Sequence, residues 1–114
     1  MLAYMPVKQV DDILKTGPRV KVTHNTRTSL ADIRASLEET RLKGYAFSFE
    51  EALPGVVGFA TPVFGATGLP VAAFGVGVAT SQYKESTAPS IIKALKAASQ
   101  QLSRQLGWVA PVAA

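Results

Sequence analysis

The sequence predicts one α+β domain: a meander of antiparallel strands with helices packed against it. Apolar residues recur at helical spacing in the segments 30–43 and 88–106, on either side of a central block. Within that block, aromatic and apolar runs follow one another at 45–50, 56–64 and 71–79, each short enough for a strand. The order helix, helix, strand, strand, strand, helix keeps strands adjacent and helices segregated, which is an α+β arrangement. The length of 114 residues holds one domain, and 47% apolar with 18% charged residues excludes disorder by composition.

A first, short helix is predicted from Pro6 to Lys15: proline suits a first helical position, Val10, Ile13 and Leu14 share a face, and Gly17-Pro18 stops it. Residues 17–28 read as a polar, basic connector in which Val20 and Val22 alternate with charges, so a short edge strand is expected there. The second helix starts after Ser29, with Asp32 three residues on as a weak capping box. Leu30, Ile33 and Leu37 line one face, Arg34–Glu38 and Glu39–Lys43 are i, i+4 pairs, and Gly44 sits where a left-handed cap is needed.

Tyr45 to Glu50 alternates as a strand, and Leu53-Pro54-Gly55 is a turn. Val56–Phe64 and Val71–Ala79, joined by GATGLP, form a hairpin whose near-continuous apolar character predicts strands covered on both faces. The last helix is expected over Ala88–Leu106, with Thr87 as cap, Pro89 in the first turn, Ile91, Ile92, Leu95, Ala98, Leu102 and Leu106 as its apolar set, and Gly107 as its end. The tail WVAPVAA has no period, and disorder is expected beyond Trp108.

The segment 52–83 carries no charged residue, yet Pro54, Pro62, Pro70 and six glycines interrupt it. No apolar run of about 18 residues survives, so two strands around a turn fit better than a membrane span. The N-terminus lacks the basic and apolar regions of a signal peptide.

No catalytic constellation emerges. The absence of Cys excludes a cysteine nucleophile or thiolate metal site, and a single His excludes a multi-histidine one. Glu50 and Glu51 are adjacent on a strand end and point apart, which suits one solvated carboxylate and one bonded to the turn. Gly75-x-Gly77 and GATG lack the remaining residues of a phosphate-binding fingerprint. Lys15, Arg19, Lys21, His24 and Arg27 read as a solubilising surface; with a net charge of +4 and no interleaved aromatics, specific nucleic-acid binding is not expected.

Glycines inside the hairpin are the unusual feature. Gly58, Gly75 and Gly77 interrupt strand runs, and Gly75 and Gly77, two apart, face one side. Two missing side chains leave either a hollow beside Phe47, Val56 and Val71, as a small-molecule pocket requires, or room for a helix packed close on the sheet.

The ordered series Leu37-x-x-x-Arg41-x-x-Gly44-Tyr45-Ala46, Glu50-Glu51, Gly55-Val56, Ala60-x-Pro62-Val63, Gly68, Val71-Ala72-Ala73 and Leu106-Gly107 resembles the effector-binding domain of IclR-type transcriptional regulators, from about Leu2 to Trp108. The resemblance implies a GAF-like domain, a central antiparallel sheet flanked by helices. It implies a cytoplasmic, non-enzymatic regulator without a cofactor, apart from membranes and assembled as a homodimer or homotetramer. Its effector is a small organic acid, and it contacts DNA only through a winged helix-turn-helix domain outside this chain. Residues 1–114 then form part of the effector domain, whose first portion, including a Gly-Ala ligand contact, also lies outside the chain.

The family's ligand positions fall on Ser48, where an acid is known in relatives, on Val56 and Gly58, and on Gly75 and Gly77, where relatives carry hydroxyls. The loss of both hydroxyls implies a roomier, more apolar site and an aromatic or longer aliphatic acid as ligand. The alternatives are a stand-alone GAF-like ligand-binding module and an oligomerisation fragment that binds no ligand.

Overall fold

The computed structural model describes residues 1–111. Helices α1 (Val7–Thr16), α2 (Leu30–Lys43) and α3 (Ala88–Gln105) accompany strands β1 (Ala46–Phe49), β2 (Val56–Phe64) and β3 (Pro70–Ala79), with single 3₁₀ turns at Leu2–Tyr4, Thr80–Gln82 and Glu85–Thr87. The strands form one antiparallel sheet in the order β1-β2-β3. The predicted α+β meander is the observed fold.

The local signals work where the chemistry is local. Ser29 Oγ accepts the Asp32 amide at 3.1 Å, and Gly44 takes φ +81° while its N–H donates to Thr40 O at 2.8 Å. Pro6 is the cap of α1 rather than its first residue, and the helix runs one residue past Lys15 to Thr16. Strand β1 is trimmed to Ala46–Phe49 because Glu50 turns out of the ladder at φ +52°. Thr87 does not cap α3; its hydroxyl donates backward to Lys84 O at 2.7 Å.

The edge strand expected within 17–28 is not formed. The amides of Val22 and Thr23 donate to Thr26 Oγ1 at 3.2 and 2.9 Å, so side-chain bonding takes the groups a ladder would use. Thr23 and Thr26 hydroxyls donate onward to Glu50 O and Glu51 O, fastening the connector to the β1–β2 turn. Arg34 pairs with Asp11 of α1 at 3.0 Å instead of Glu38, whereas Glu39–Lys43 forms as spaced.

The core lies between β2 and α3. Val57, Phe59, Thr61 and Val63 alternate along β2 and are all at most 3% exposed. Helix α3 meets them with Leu95, Ser99 and Ser103; Ala98 and Leu106 of the predicted apolar set are exposed. The serines lock helix to sheet: Ser103 Oγ accepts the Phe64 amide at 2.9 Å and donates to Ser99 O at 2.6 Å, while Thr61 Oγ1 donates to Leu95 O at 3.2 Å. Trp108 then stacks on Phe64, ring centroids 5.4 Å apart, and ties the exit of α3 to the sheet. The tail residues 112–114, for which disorder was expected, lie outside the described residues.

The hairpin is not covered on both faces. Strand β2 is, by alternation, buried on one side only, and β3 is exposed along most of its length, with Val71, Phe74 and Val76 at 55, 38 and 40%. The helix layer is centred on β2 and only partly covers β3, so apolar composition there does not translate into burial.

Candidate functional site

Register sorts the sheet into two unlike faces, because directly opposed residues of antiparallel strands share a side. One face carries the rows Phe49–Val57–Val78 and Phe47–Phe59–Val76, and α3 packs on it. The other carries Ser48–Gly58–Gly77 and Ala46–Ala60–Gly75, flanked by Val56 opposite Ala79. All five sequence-predicted site residues, Ser48, Val56, Gly58, Gly75 and Gly77, therefore stand together on the face away from α3. They line a shallow floor of small side chains, half-buried at Ser48, Val56 and Gly58 and open at Gly75 and Gly77.

None of the three floor glycines is demanded by its own backbone or by a neighbouring helix. A Cβ at Gly58 would meet Ser48 Cβ at 3.7 Å, one at Gly75 the Phe59 carbonyl at 3.5 Å, and one at Gly77 Val56 Cγ1 at 3.5 Å. These are ordinary contacts within the sheet itself. Among the described residues, close helix packing is thus not what the glycines accommodate.

The floor ends at a fixed turn. Glu50 Oε1 accepts the Gly55 amide at 2.8 Å and the Thr80 hydroxyl at 3.1 Å, and the Thr80 amide donates to Gly55 O at 2.8 Å. Of the pair, Glu50 is the carboxylate bonded to the turn. Glu51 is not simply solvated: it pairs with Arg27 at 3.3 Å. Arg19 donates to Thr28 O and Leu14 O, so two cations of the basic connector serve the fold.

Phe47 does not share the hollow with Val56. It points to the α3 side, its ring 5.1 Å from Phe59 and 6.2 Å from Tyr83. There, with Phe49, Glu39 and Ile92, it borders a separate cavity of about 430 Å³ between α2, β1 and α3. On its rim the Lys43 ammonium, hydrogen-bonded to Glu39, holds that carboxyl below the usual range. A second recess of about 460 Å³ opens at the connector beside Lys21, His24, Asn25 and Glu50. Ala46 and Ala60 belong to the floor without being predicted for it; only the register, not spacing within one strand, aligns them with Gly75.

The family described as bacterial transcriptional regulator IclR C-terminal matches residues 1–104. The chain belongs to the IclR C-terminal family. The regulator KdgR of Dickeya chrysanthemi is 26% identical over 108 residues, 95% of this chain and 35% of KdgR. The Thermotoga maritima IclR structure superposes with a TM-score of 0.90 at 30% identity, covering 94% of this chain and 43% of that one. The Acinetobacter PobR inducer-binding domain, a double mutant in complex with 3-hydroxybenzoic acid, shares the fold at a TM-score of 0.82 and 22% identity, covering 90% of this chain and 59% of that one. This IclR-family chain thus spans well under two-thirds of these relatives, and they are transcriptional regulators. Among its described residues no helix is long and apolar enough to cross a membrane.

Proposed function

We propose that this chain is the effector-sensing and assembly part of an IclR-type regulator, whose operator contacts are made by a DNA-binding domain outside residues 1–114. The observation that carries the reading is the Ser48–Gly58–Gly77 row with Gly75 and Val56 beside it: a floor of small residues that nothing in the sheet's own packing requires. A flat floor without long side chains suits a planar or extended apolar group laid against the strands. With hydroxyls missing at positions 75 and 77, a carboxylate finds few side-chain donors there, which disfavours two- and three-carbon keto acids.

The effector class is therefore an aromatic or longer aliphatic acid, bound without a metal or other cofactor in a cytoplasmic regulator. That a relative in this fold is a complex with 3-hydroxybenzoic acid supports the aromatic choice. The chain self-associates as a homodimer or homotetramer, because its uncharged segment 52–83 supplies an apolar strand at the rim of the sheet.

Thermal shift against 3-hydroxybenzoate and pyruvate tests the effector reading. A ligand at 100 times its Kd adds about 2.7 kcal/mol, which for a domain of this size raises Tm by roughly 10 °C or more. 3-Hydroxybenzoate is expected to stabilise and pyruvate to do so weakly or not at all. The double variant Gly75→Ser/Gly77→Ser restores about 1 kcal/mol of hydrogen bonding per hydroxyl and is expected to invert the preference. An unchanged ratio of the two affinities would remove both glycines from the site.

A further inference from the structure

We propose that Glu50 is the positioning residue of the effector floor and ties it to the connector 22–26, so that a ligand on the floor is felt between α1 and α2. This rests on the effector reading above and specifies how occupancy leaves the site.

Glu50 stands two residues past Ser48, and its N–H donates to Val56 O at 3.0 Å. It therefore heads the next row of the floor, Glu50–Val56–Ala79. Among the described residues it is the one non-glycine with a positive φ, +52°. A residue with a side chain holds that conformation only where its surroundings over-determine it. The carboxylate supplies the constraint. Its Oε1 accepts the Gly55 amide, just before β2, at 2.8 Å and the Thr80 hydroxyl, just past β3, at 3.1 Å. One oxygen thus joins the ends of all three strands at the Val56 margin of the floor. Glycine would take this φ freely, so what glutamate adds here is the bonds, not the turn.

The same residue carries the connector. Three successive carbonyls are each taken by a different connector side chain: Asn25 Nδ2 donates to Phe49 O at 3.0 Å, the Thr23 hydroxyl to Glu50 O and the Thr26 hydroxyl to Glu51 O. Thr26 Oγ1 in turn accepts the Val22 and Thr23 amides. Peptide units are planar, so a change in φ or ψ at residue 50 swings the flanking carbonyls together. A ligand lying on Val56 and the Ser48–Gly58–Gly77 row fixes the strand ends that hold Glu50, and Glu50 then holds the connector. Release of the carboxylate lets the residue leave the left-handed region and loosens the connector's grip.

Amide hydrogen exchange on the ¹⁵N-labelled chain, with and without 3-hydroxybenzoate, reads this coupling. Glu50→Gly keeps the turn without the carboxylate; Glu50→Gln keeps an acceptor oxygen for both donors. In the ligand-free chain, exchange at Val22, Thr23 and Thr80 is expected to rise at least about threefold in Glu50→Gly. It should stay near wild type in Glu50→Gln, with Val57 and Phe59 of the core unchanged in both variants. Added 3-hydroxybenzoate should slow Val22 and Thr23 by at least about threefold in wild type and Glu50→Gln but not in Glu50→Gly. The resonances of Ser48, Gly58 and Gly77 should shift in all three.

Floor shifts in wild type without slowing at Val22 and Thr23 would overturn the coupling and leave the effector reading standing. No floor shift at millimolar ligand would overturn the effector reading and the coupling with it. Ligand-free rates in Glu50→Gly equal to those of wild type would show that the carboxylate holds neither floor nor connector, and would also overturn the proposal.

Discussion

The two faces of the same three strands are built on opposite plans. On the α3 side, Val57, Phe59 and Val63 are essentially inaccessible and Thr61, Ser99 and Ser103 close the remaining polar groups. On the other side, rows of Gly, Ala and Ser lie half-buried or open. A strand's period of two permits this division: each residue along β2 alternately serves the core and the floor. The lesson is that apolar composition alone does not distinguish a residue that holds the fold from one that presents a surface. Size and register do.

The comparison predicts a graded series of stabilities. Phe59→Ala, on the core face, is expected to cost about 3–5 kcal/mol in denaturant unfolding, from lost burial and the cavity left between β2 and α3. Ser103→Ala should cost about 1–3 kcal/mol, because it takes the acceptor from the half-buried Phe64 amide and the link between α3 and β2. Gly75→Ser/Gly77→Ser, on the floor, should shift stability by no more than about 0.5 kcal/mol, since the added atoms meet only ordinary contacts. If the floor variant destabilised as much as Ser103→Ala, the two faces would not differ as described.

Burial of Tyr4 sharpens the picture at the periphery. Its hydroxyl donates to Thr40 O at 3.3 Å, and desolvation pushes the phenol above its usual range, with Arg41 pulling weakly the other way. A raised folded-state value favours the fold below the ordinary phenol range and withdraws that favour as pH climbs through it. Wild type should therefore lose stability at alkaline pH more steeply than Tyr4→Phe, measured by urea unfolding between about pH 9 and 11.

Legibility in the sequence followed the range of the interaction. Ser29, Gly44 and the GATGLP connection act over a few residues, and helix α2 and the hairpin emerged within a residue of expectation. Misplacements came from distant partners. Arg34 found Asp11 across a helix pair, Thr26 diverted the backbone of the connector, and Phe47 was assigned to the wrong hollow because register between strands is invisible along one strand. Ser99 and Ser103 were overlooked as core because serine reads as polar until its hydroxyl is seen spanning helix and sheet. For the candidate site, the same-sidedness of Gly75 and Gly77 was available from their spacing. Gly58 and Val56 were noticed in the strand pattern and Ser48 came from the family resemblance alone, while their alignment with Gly75 and Gly77 became visible only through the pairing of three strands.

The central claim, that the small-residue face receives the effector, is tested most directly by titrating the ¹⁵N-labelled chain with 3-hydroxybenzoate and following its amide resonances. The account predicts that shifts concentrate on Ser48, Val56, Gly58, Gly75 and Gly77, with little change at Phe47, Phe59 and Tyr83 across the sheet. Shifts that cluster on those three aromatics, or no shift anywhere at millimolar ligand, would contradict it.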